Sequence, residues 1–202
     1  MIEVRAKKKL GEFSLDAELR DEGFICLTGR NGAGKSTFLN VIAGVSRLDD
    51  GGYVRIGSRD VTTASVEKRG IVLVTPDSYI PHMRVEKHLA WGANLKGATI
   101  DPAHVERVRS ALGVTFDGKV QKLSLGMKER VALATALLSK PQIILIDESF
   151  SNIDNRGIFI FEFRRLCAES KLDAIFTTQF EEDAKLADHH YAMEKGKVTK
   201  IF

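Results

Sequence analysis

Gly29-Arg30-Asn31-Gly32-Ala33-Gly34-Lys35-Ser36-Thr37 is the stretch that decides the fold. It follows Phe24-Ile25-Cys26-Leu27-Thr28, a short apolar run that reads as a buried strand. It opens a helical pattern from Lys35 to Ala43 that Gly44 stops. A buried strand, a glycine turn and a helix in that order make an anion cradle. Glycine lets successive backbone N–H groups turn inward around a phosphate, and the helix N-terminus adds partial positive charge. Lys35 can reach the β- and γ-phosphate oxygens of a nucleotide, and the Ser36 hydroxyl can ligate Mg²⁺. Asn31, Gly32, Ala33, Gly34 and Thr37 complete the expected cradle. The bland alternative is a glycine-rich turn with no ligand, and the correct flanks on both sides argue against it.

Working outward, strand patterns alternate with helical ones, which predicts α/β with a largely parallel sheet. The glycine stretch matches the P-loop spacing G-x-x-x-x-G-K-[ST], so the expected class is a P-loop NTPase core. The turn Asp50-Gly51-Gly52 precedes the strand-like Tyr53 to Ile56 and places a small antiparallel β portion near the N-terminus. Ile71 to Val74 reads as another buried strand. Arg84 to Leu95 and Asp101 to Leu112 both read as amphipathic helices with no strand between them, the second with Asp101-Pro102 as cap and first residue. They predict an inserted α-helical subdomain. The core then resumes with a helix from Gly126 to Ser139, a strand from Gln142 to Ile146, a helix from Gly157 to Ala168 and a strand from Asp173 to Thr177. A closing strand is expected around Tyr191 to Met193, with a turn at Gly196. The expectation is one domain over 1–202, with a catalytic core about 1–75 and 141–202 and a helical subdomain about 76–140.

Composition bounds the partners. The 202 residues are 44% hydrophobic and 28% charged, with a net charge of +3, as in ordinary globular domains. Lys7-Lys8-Lys9 reads as a solvated run, and nothing in the charge pattern calls for nucleic acid as a partner. No stretch approaches the ~20 apolar residues that span a bilayer, so membrane spans would have to come from another polypeptide. Met1-Ile2-Glu3-Val4-Arg5 lacks an apolar signal core, and Cys26 and Cys167 are distant cysteines without metal spacing. Both features predict a cytoplasmic chain with reduced thiols. The five histidines show no ligand spacing either.

Ile143-Ile144-Leu145-Ile146-Asp147-Glu148 is an apolar strand ending in two acids. A buried strand would set Asp147 at the carboxyl edge of the sheet, where it can hold Mg²⁺ through water. Glu148, one residue on, can polarise an attacking water as general base. Leu123-Ser124-Leu125-Gly126-Met127, followed by Lys128-Glu129-Arg130-Val131-Ala132-Leu133, then resembles the L-S-G-G-Q signature of the ABC (ATP-binding cassette) family. It precedes the acid strand at the family's spacing. Ser151-Asn152-Ile153-Asp154 is similar to that family's D-loop, usually Ser-Ala-Leu-Asp. The resemblance covers essentially the whole chain. It implies ATP and Mg²⁺ as cofactors, a head-to-tail pair of cassettes, and Ser124, Gly126 and Asp154 facing the ATP of the second subunit. It also implies integral membrane permease subunits as partners, on the inner face of the membrane. Leu10-Gly11-Glu12-Phe13, Glu67-Lys68-Arg69-Gly70-Ile71 and Pro81-His82-Met83-Arg84-Val85 look similar to importer ATPases of the molybdate and tungstate type.

Four departures qualify the resemblance. Gln179 stands where the family has a switch His contacting the γ-phosphate, and an amide cannot carry positive charge. The family's Q-loop Gln is replaced by Thr75 or Pro76, depending on the end from which the spacing is counted. Leu125 and Met127 replace a Gly and the Gln of the signature. The adenine-stacking aromatic has Phe13 as its nearest candidate, with a core Phe as the alternative. The expected function is therefore an ATP-hydrolysing subunit that energises a membrane importer, with slow turnover. A soluble ABC ATPase without a transport role, or a weakly active partner in an unequal cassette pair, stands as the alternative.

Overall fold

The structure is a computed structural model and describes residues 1–95 and 101–202; residues 96–100 of the expected insertion lie outside the described residues. In chain order, β1 (Ile2–Leu10), β2 (Phe13–Asp21) and β3 (Phe24–Thr28) lead into α1 (Lys35–Ala43). Next come β4 (Tyr53–Ile56), β5 (Arg59–Asp60) and β6 (Ile71–Val74). The helices α2 (Val85–Leu95), α3 (Pro102–Ala111) and α4 (Leu125–Leu138) then fall between β6 and β7 (Ile143–Asp147). The chain finishes with α5 (Arg156–Glu169), β8 (Asp173–Thr178), α6 (Glu181–Ala184), β9 (His189–Glu194) and β10 (Lys197–Lys200).

Two sheets result. One has the order β10-β9-β3-β8-β7-β6, parallel except for β10, which pairs antiparallel with β9. Its central strands are buried on both faces, and their alternation divides the core. Phe24, Cys26, Ile144, Ile146, Ala174 and Phe176 point to one side, against α4 and α5. Ile25, Leu27, Ile143, Leu145 and Ile175 point to the other, against α1 and the second sheet. That two-sided burial is why these strands read as continuous apolar runs. Each buried Ile or Leu stabilises the fold by about 1.5–3 kcal/mol, so β7, with four of them fully buried, is a firm stem for the two acids at its end. The helix side adds an aromatic cluster in which Phe150 meets Phe159, Phe163 and Phe176 edge-on at centroid distances of 5.5–5.9 Å.

The second sheet, β2-β1-β4-β5, is antiparallel and larger than the sequence reading allowed. β1 and β2 pair over their full length, from Ile2 opposite Asp21 to Leu10 opposite Phe13. The missed signal is the period of two: Ile2, Val4 and Ala6 are buried, as are Leu15, Ala17 and Leu19, with charged residues between them. The lysine run belongs to this sheet, with Lys8 Nζ at 3.4 Å from Asp49 and the Lys9 N–H donating to the same carboxylate at 2.7 Å. The closing strand likewise extends on both sides of the expected Tyr191–Met193, and β10 follows it across the turn at Gly196.

Helix bounds follow their caps. Asp101 accepts from the Ala103 N–H at 3.0 Å and starts α3, with Pro102 in its first turn. At the far end of α1, Arg69 is buried and donates to the Val41 and Ile42 carbonyls at 3.2 and 2.9 Å. It thereby satisfies acceptors that a helix C-terminus leaves open. Arg69 thus fixes the helix whose N-terminus forms the glycine cradle. Both cysteines are free and buried, and burial pushes their thiols well above the usual range.

The segment after β8 is held by Arg156 at the start of α5. Its Nε donates to Asp183 Oδ1 at 2.9 Å, its Nη2 to Glu182 at 3.0 Å, and its guanidinium lies 3.8 Å from the Phe180 ring centroid. Asp183 is buried, and its other oxygen accepts from Thr178 Oγ1 at 2.8 Å. Removing one partner of such a pair strands a buried charge at a cost of about 3 kcal/mol or more. Arg156→Ala is therefore expected to lower the midpoint of thermal unfolding by roughly 6–12 °C for a domain of this size. Calorimetric melting checks it, and an unchanged midpoint would mean that the clamp contributes nothing.

Candidate functional site

The glycine cradle, the end of β7 and the start of β2 meet at one open cavity of about 450 Å³. Its walls include Asn31, Gly32, Gly34, Lys35, Ser36 and Thr37 from the cradle, with Asp147 and Glu148 opposite. Phe13 and Pro76 complete the lining. Ala33 is the one expected cradle residue outside that wall; it is buried, and its carbonyl accepts from the Gly196 N–H at 2.9 Å, tying the loop to the β9–β10 turn. Gly34 has φ of 111°, which favours glycine, and a Cβ there would stand 2.6 Å from the tip of the Phe13 ring and displace it. Phe13 thus leans on the cradle at the cavity wall while, half-buried, it also packs against the core beneath the second sheet.

Lys35 is almost wholly buried. Its Nζ donates to the Gly29 and Arg30 carbonyls at 2.7 and 3.3 Å and lies 3.1 Å from Glu148 Oε1. Two carbonyls and one carboxylate thus hold the ammonium at the cavity wall. Glu148 is in the left-handed region, with φ of 54°, which a non-glycine residue adopts at a cost of about 1–3 kcal/mol. Its backbone is held from both sides. The Glu148 N–H donates to Thr177 Oγ1 at 3.0 Å, while the Glu148 carbonyl accepts from the Ser151 N–H at 3.2 Å and Ser151 Oγ at 2.8 Å. Thr177 Oγ1 in turn donates to Asp147 Oδ1 at 2.8 Å. Thr177 was not singled out in the sequence, because a Thr in an apolar strand reads as an ordinary β-former.

Ser124, Gly126 and Asp154 do not line this cavity. They form a second cluster where α4 meets the 151–155 loop. Ser124 caps α4 by accepting from the Met127 N–H at 3.3 Å, so the plain N-cap reading holds whatever else the residue does. Gly126 packs against the Asn152 backbone so closely that a side chain would collide with its carbonyl oxygen. Arg130 Nη2 donates to the Asp154 carbonyl at 2.9 Å. Leu125 is 44% exposed at the helix tip, facing outward. One turn on, Glu129 is buried and accepts from Asn152 Nδ2 at 2.8 Å; burial pushes its carboxyl above the usual range, partly offset by that bond.

Gln179 does not reach the cavity wall either. It is exposed, between Thr178 and Phe180, both of which are tied into the Arg156 clamp. Of the two candidates for the missing Gln, Pro76 lines the cavity, while the Thr75 N–H is taken by Ser78 Oγ at 2.8 Å.

A donor set for a divalent cation beside a phosphate needs hard oxygens, and the cavity offers them in the Ser36 hydroxyl and the Asp147 carboxylate. The residues present fit Mg²⁺. Among the described residues, no helix is long and apolar enough to cross a membrane.

Comparison with known proteins agrees with this geometry. The profile of the family described as ABC transporter matches residues 13–151. The molybdate/tungstate import ATP-binding protein of Archaeoglobus fulgidus is 35% identical over 214 residues, covering 100% of this chain and 89% of that protein. The molybdenum import ATP-binding protein of Rhizobium meliloti is 32% identical over 209 residues, covering 98% of this chain but 58% of its own length. The chain thus spans a little over half of that longer relative. Among solved structures, a dimeric bacterial ABC transporter cassette superposes with a TM-score of 0.80 at 22% identity, covering 100% of this chain and 99% of the cassette. At that identity the likeness speaks for the fold. The α/β fold with its P-loop, the cavity where the cradle meets the acid pair, and the family match over most of the chain agree: the protein belongs to the ABC transporter family.

Proposed function

We propose that this chain is the ATP-binding and ATP-hydrolysing subunit of an ABC importer, working as one of two cassettes beneath membrane permease subunits. The observation that carries the reading is the 3.1 Å contact between buried Lys35 and Glu148 inside the cavity that Ser36 and Asp147 also line. Relatives named as import ATP-binding proteins, for molybdate/tungstate and for molybdenum, support import as the direction of transport. Catalytic core 1–75 and 141–202 with a helical subdomain 76–140 remains the division that we infer.

The chemistry follows from the residues. ATP enters with its triphosphate on the cradle N–H groups and its base beside Phe13. Lys35 leaves the neutral Gly29 and Arg30 carbonyls for the β- and γ-phosphate oxygens, where its ammonium meets anionic acceptors. That move releases Glu148, which is then free to accept a proton from the attacking water. Ser36 and Asp147 would hold Mg²⁺, which supplies positive charge against the β- and γ-oxygens when bound. Ser124, Gly126 and Asp154 lie away from the chain's own cavity, which favours a nucleotide held by another cassette as the one they serve. That geometry supports the paired arrangement, with the N–H groups of α4 aimed at the partner's phosphate. A separate apolar groove of about 480 Å³ between β6 and α2, lined by Val72, Tyr79, Ile80 and half-exposed Trp91, supports attachment to a permease. Such attachment would hold the chain at the cytoplasmic face of a membrane. The test is Mg²⁺-dependent ATP hydrolysis by the purified chain, and its acceleration on adding membranes that contain a co-expressed permease. A chain that binds ATP but never hydrolyses it would refute the enzymatic half.

A second reading, a weakly active partner in an unequal pair, is favoured by one placement: Gln179 is exposed and outside the cavity wall. A switch His would meet the γ-phosphate chiefly as charge moves, so its loss raises the barrier more than it weakens ground-state binding. Gln179→His is accordingly expected to raise kcat by up to about 10²-fold, with the ATP dissociation constant unchanged. Parallel measurement of both constants checks it. A flat kcat would move the limit to another departure, with Leu125 foremost.

A further inference from the structure

β8 ends in two threonines whose hydroxyls do different work. Thr178 serves its own loop, donating to Asp183 and accepting from the Phe180 N–H at 3.1 Å. Thr177, 1% exposed, faces the acid pair instead. Its Oγ1 lies 2.8 Å from Asp147 Oδ1 and 3.5 Å from the Ile146 carbonyl, so its single hydrogen goes to the carboxylate. The same oxygen accepts from the Glu148 N–H at 3.0 Å. One hydroxyl thus joins the side chain of the first acid to the backbone of the second.

From this juxtaposition we propose that Thr177 is a positioning residue for ATP hydrolysis, presenting Asp147 and Glu148 as one rigid pair. The inference rests on the hydrolytic reading above and deepens it. Two physical facts carry it. Glu148 is in a left-handed conformation that a side-chain-bearing residue leaves unless its peptide groups are held, and Thr177 takes its N–H while Ser151 takes its carbonyl. Asp147 is a β7 side chain that would otherwise rotate freely about its Cα–Cβ bond at the cavity edge. With Oδ1 engaged, one rotamer is selected and the remaining lone pairs stay available to a cation's waters. Gln179 is exposed, so the contact by which β8 reaches the acid pair runs through Thr177.

Thr177→Val, which replaces the hydroxyl with a methyl of near-equal volume, isolates the effect, and Thr177→Ser restores the hydroxyl without the methyl. Thr177→Val is expected to lower kcat by about 10–100-fold while ATP affinity in metal-free buffer stays that of wild type. A second readout avoids turnover altogether: Mn²⁺ titration of the ATP-bound protein by electron paramagnetic resonance. Mn²⁺ affinity is expected to fall by about 10-fold or more in Thr177→Val and to recover in Thr177→Ser. Wild-type kcat and Mn²⁺ affinity in Thr177→Val would overturn the proposal, as would equal impairment of the Val and Ser variants, which would assign the effect to packing. If Thr177→Val fails to bind ATP without metal, Thr177→Ala against Thr177→Ser decides, and equal Mn²⁺ affinities in that pair overturn the proposal. A wild type that shows no turnover would refute the hydrolytic reading, whereas the Mn²⁺ titration would still decide whether Thr177 orients Asp147.

Discussion

Lys35→Ala abolishes or greatly weakens Mg-ATP binding while the chain stays folded: that is the expected result of the simplest test of the site. Among the described residues, the ammonium is the one buried cation on the cavity wall. Each charge-assisted hydrogen bond it makes is worth about 1.5–3 kcal/mol. Two phosphate contacts therefore contribute at most about 3–6 kcal/mol, or roughly 10²–10⁴ in affinity, less what the bonds to Gly29, Arg30 and Glu148 give up. The folded chain loses less. Lys35 occupies the first turn of α1, where alanine is a good helix former, and the carbonyls it leaves belong to half-buried Gly29 and exposed Arg30. Glu148 also loses its ion pair but is partly exposed and hydrates. Titration calorimetry with nucleotide, run beside a thermal melt, separates the two effects. Unchanged affinity in a folded variant would mean that the glycine cradle is not the nucleotide site, and the functional reading would fall with it.

What the sequence revealed, and what it hid, follows from how each feature is encoded. β3, α1, β4 and β6 were legible to the residue, because an apolar run bounded by glycine or by a turn has one good structural solution. The cradle was legible because its chemistry is local: six of its residues and the two acids lie on one cavity wall. β1 and β2 were not, since Ala6 and Ala17 weaken an alternating pattern interrupted by Lys7-Lys8-Lys9. Phe13 was undecided for a related reason: only the fold brings the start of β2 against Gly34. Thr177 and the Arg156 clamp depend on partners about 30 residues away in the chain, Asp147 in the first case and Asp183 in the second, and no local pattern announces them. Gln179 shows the reverse limit. Its place in the chain marked it as a stand-in for a catalytic side chain, yet the loop that carries it is tied toward α5 and leaves the amide in solvent. Whether it approaches a nucleotide depends on movement of that loop, and the Arg156 clamp is the restraint such movement would have to release.

The second large effect is expected from Glu148→Gln, in both turnover and association. Glutamine keeps the shape of the side chain and removes its basicity, and loss of a general base typically costs about 10²–10⁴ in rate. ATP binding should survive and can strengthen, because the carboxylate that holds Lys35 at 3.1 Å no longer competes with the phosphates for it. A chain that binds ATP without consuming it then exposes the proposed role of Ser124, Gly126 and Asp154. They form a cluster apart from the chain's own cavity, with the N-terminus of α4 capped by Ser124 and Leu125 exposed beside it. If that surface closes on the triphosphate of a second copy, the nucleotide becomes part of the interface, and association depends on the γ-phosphate. Sedimentation velocity of Glu148→Gln should accordingly show a dimer with Mg-ATP and a monomer with ADP. The addition of Lys35→Ala should abolish the dimer, since it removes the nucleotide that bridges the two copies. A Glu148→Gln chain that stays monomeric with saturating ATP would rule out the self-pair and leave an unlike cassette as the partner, whereas a dimer that forms equally with ADP would place the contact on some other surface.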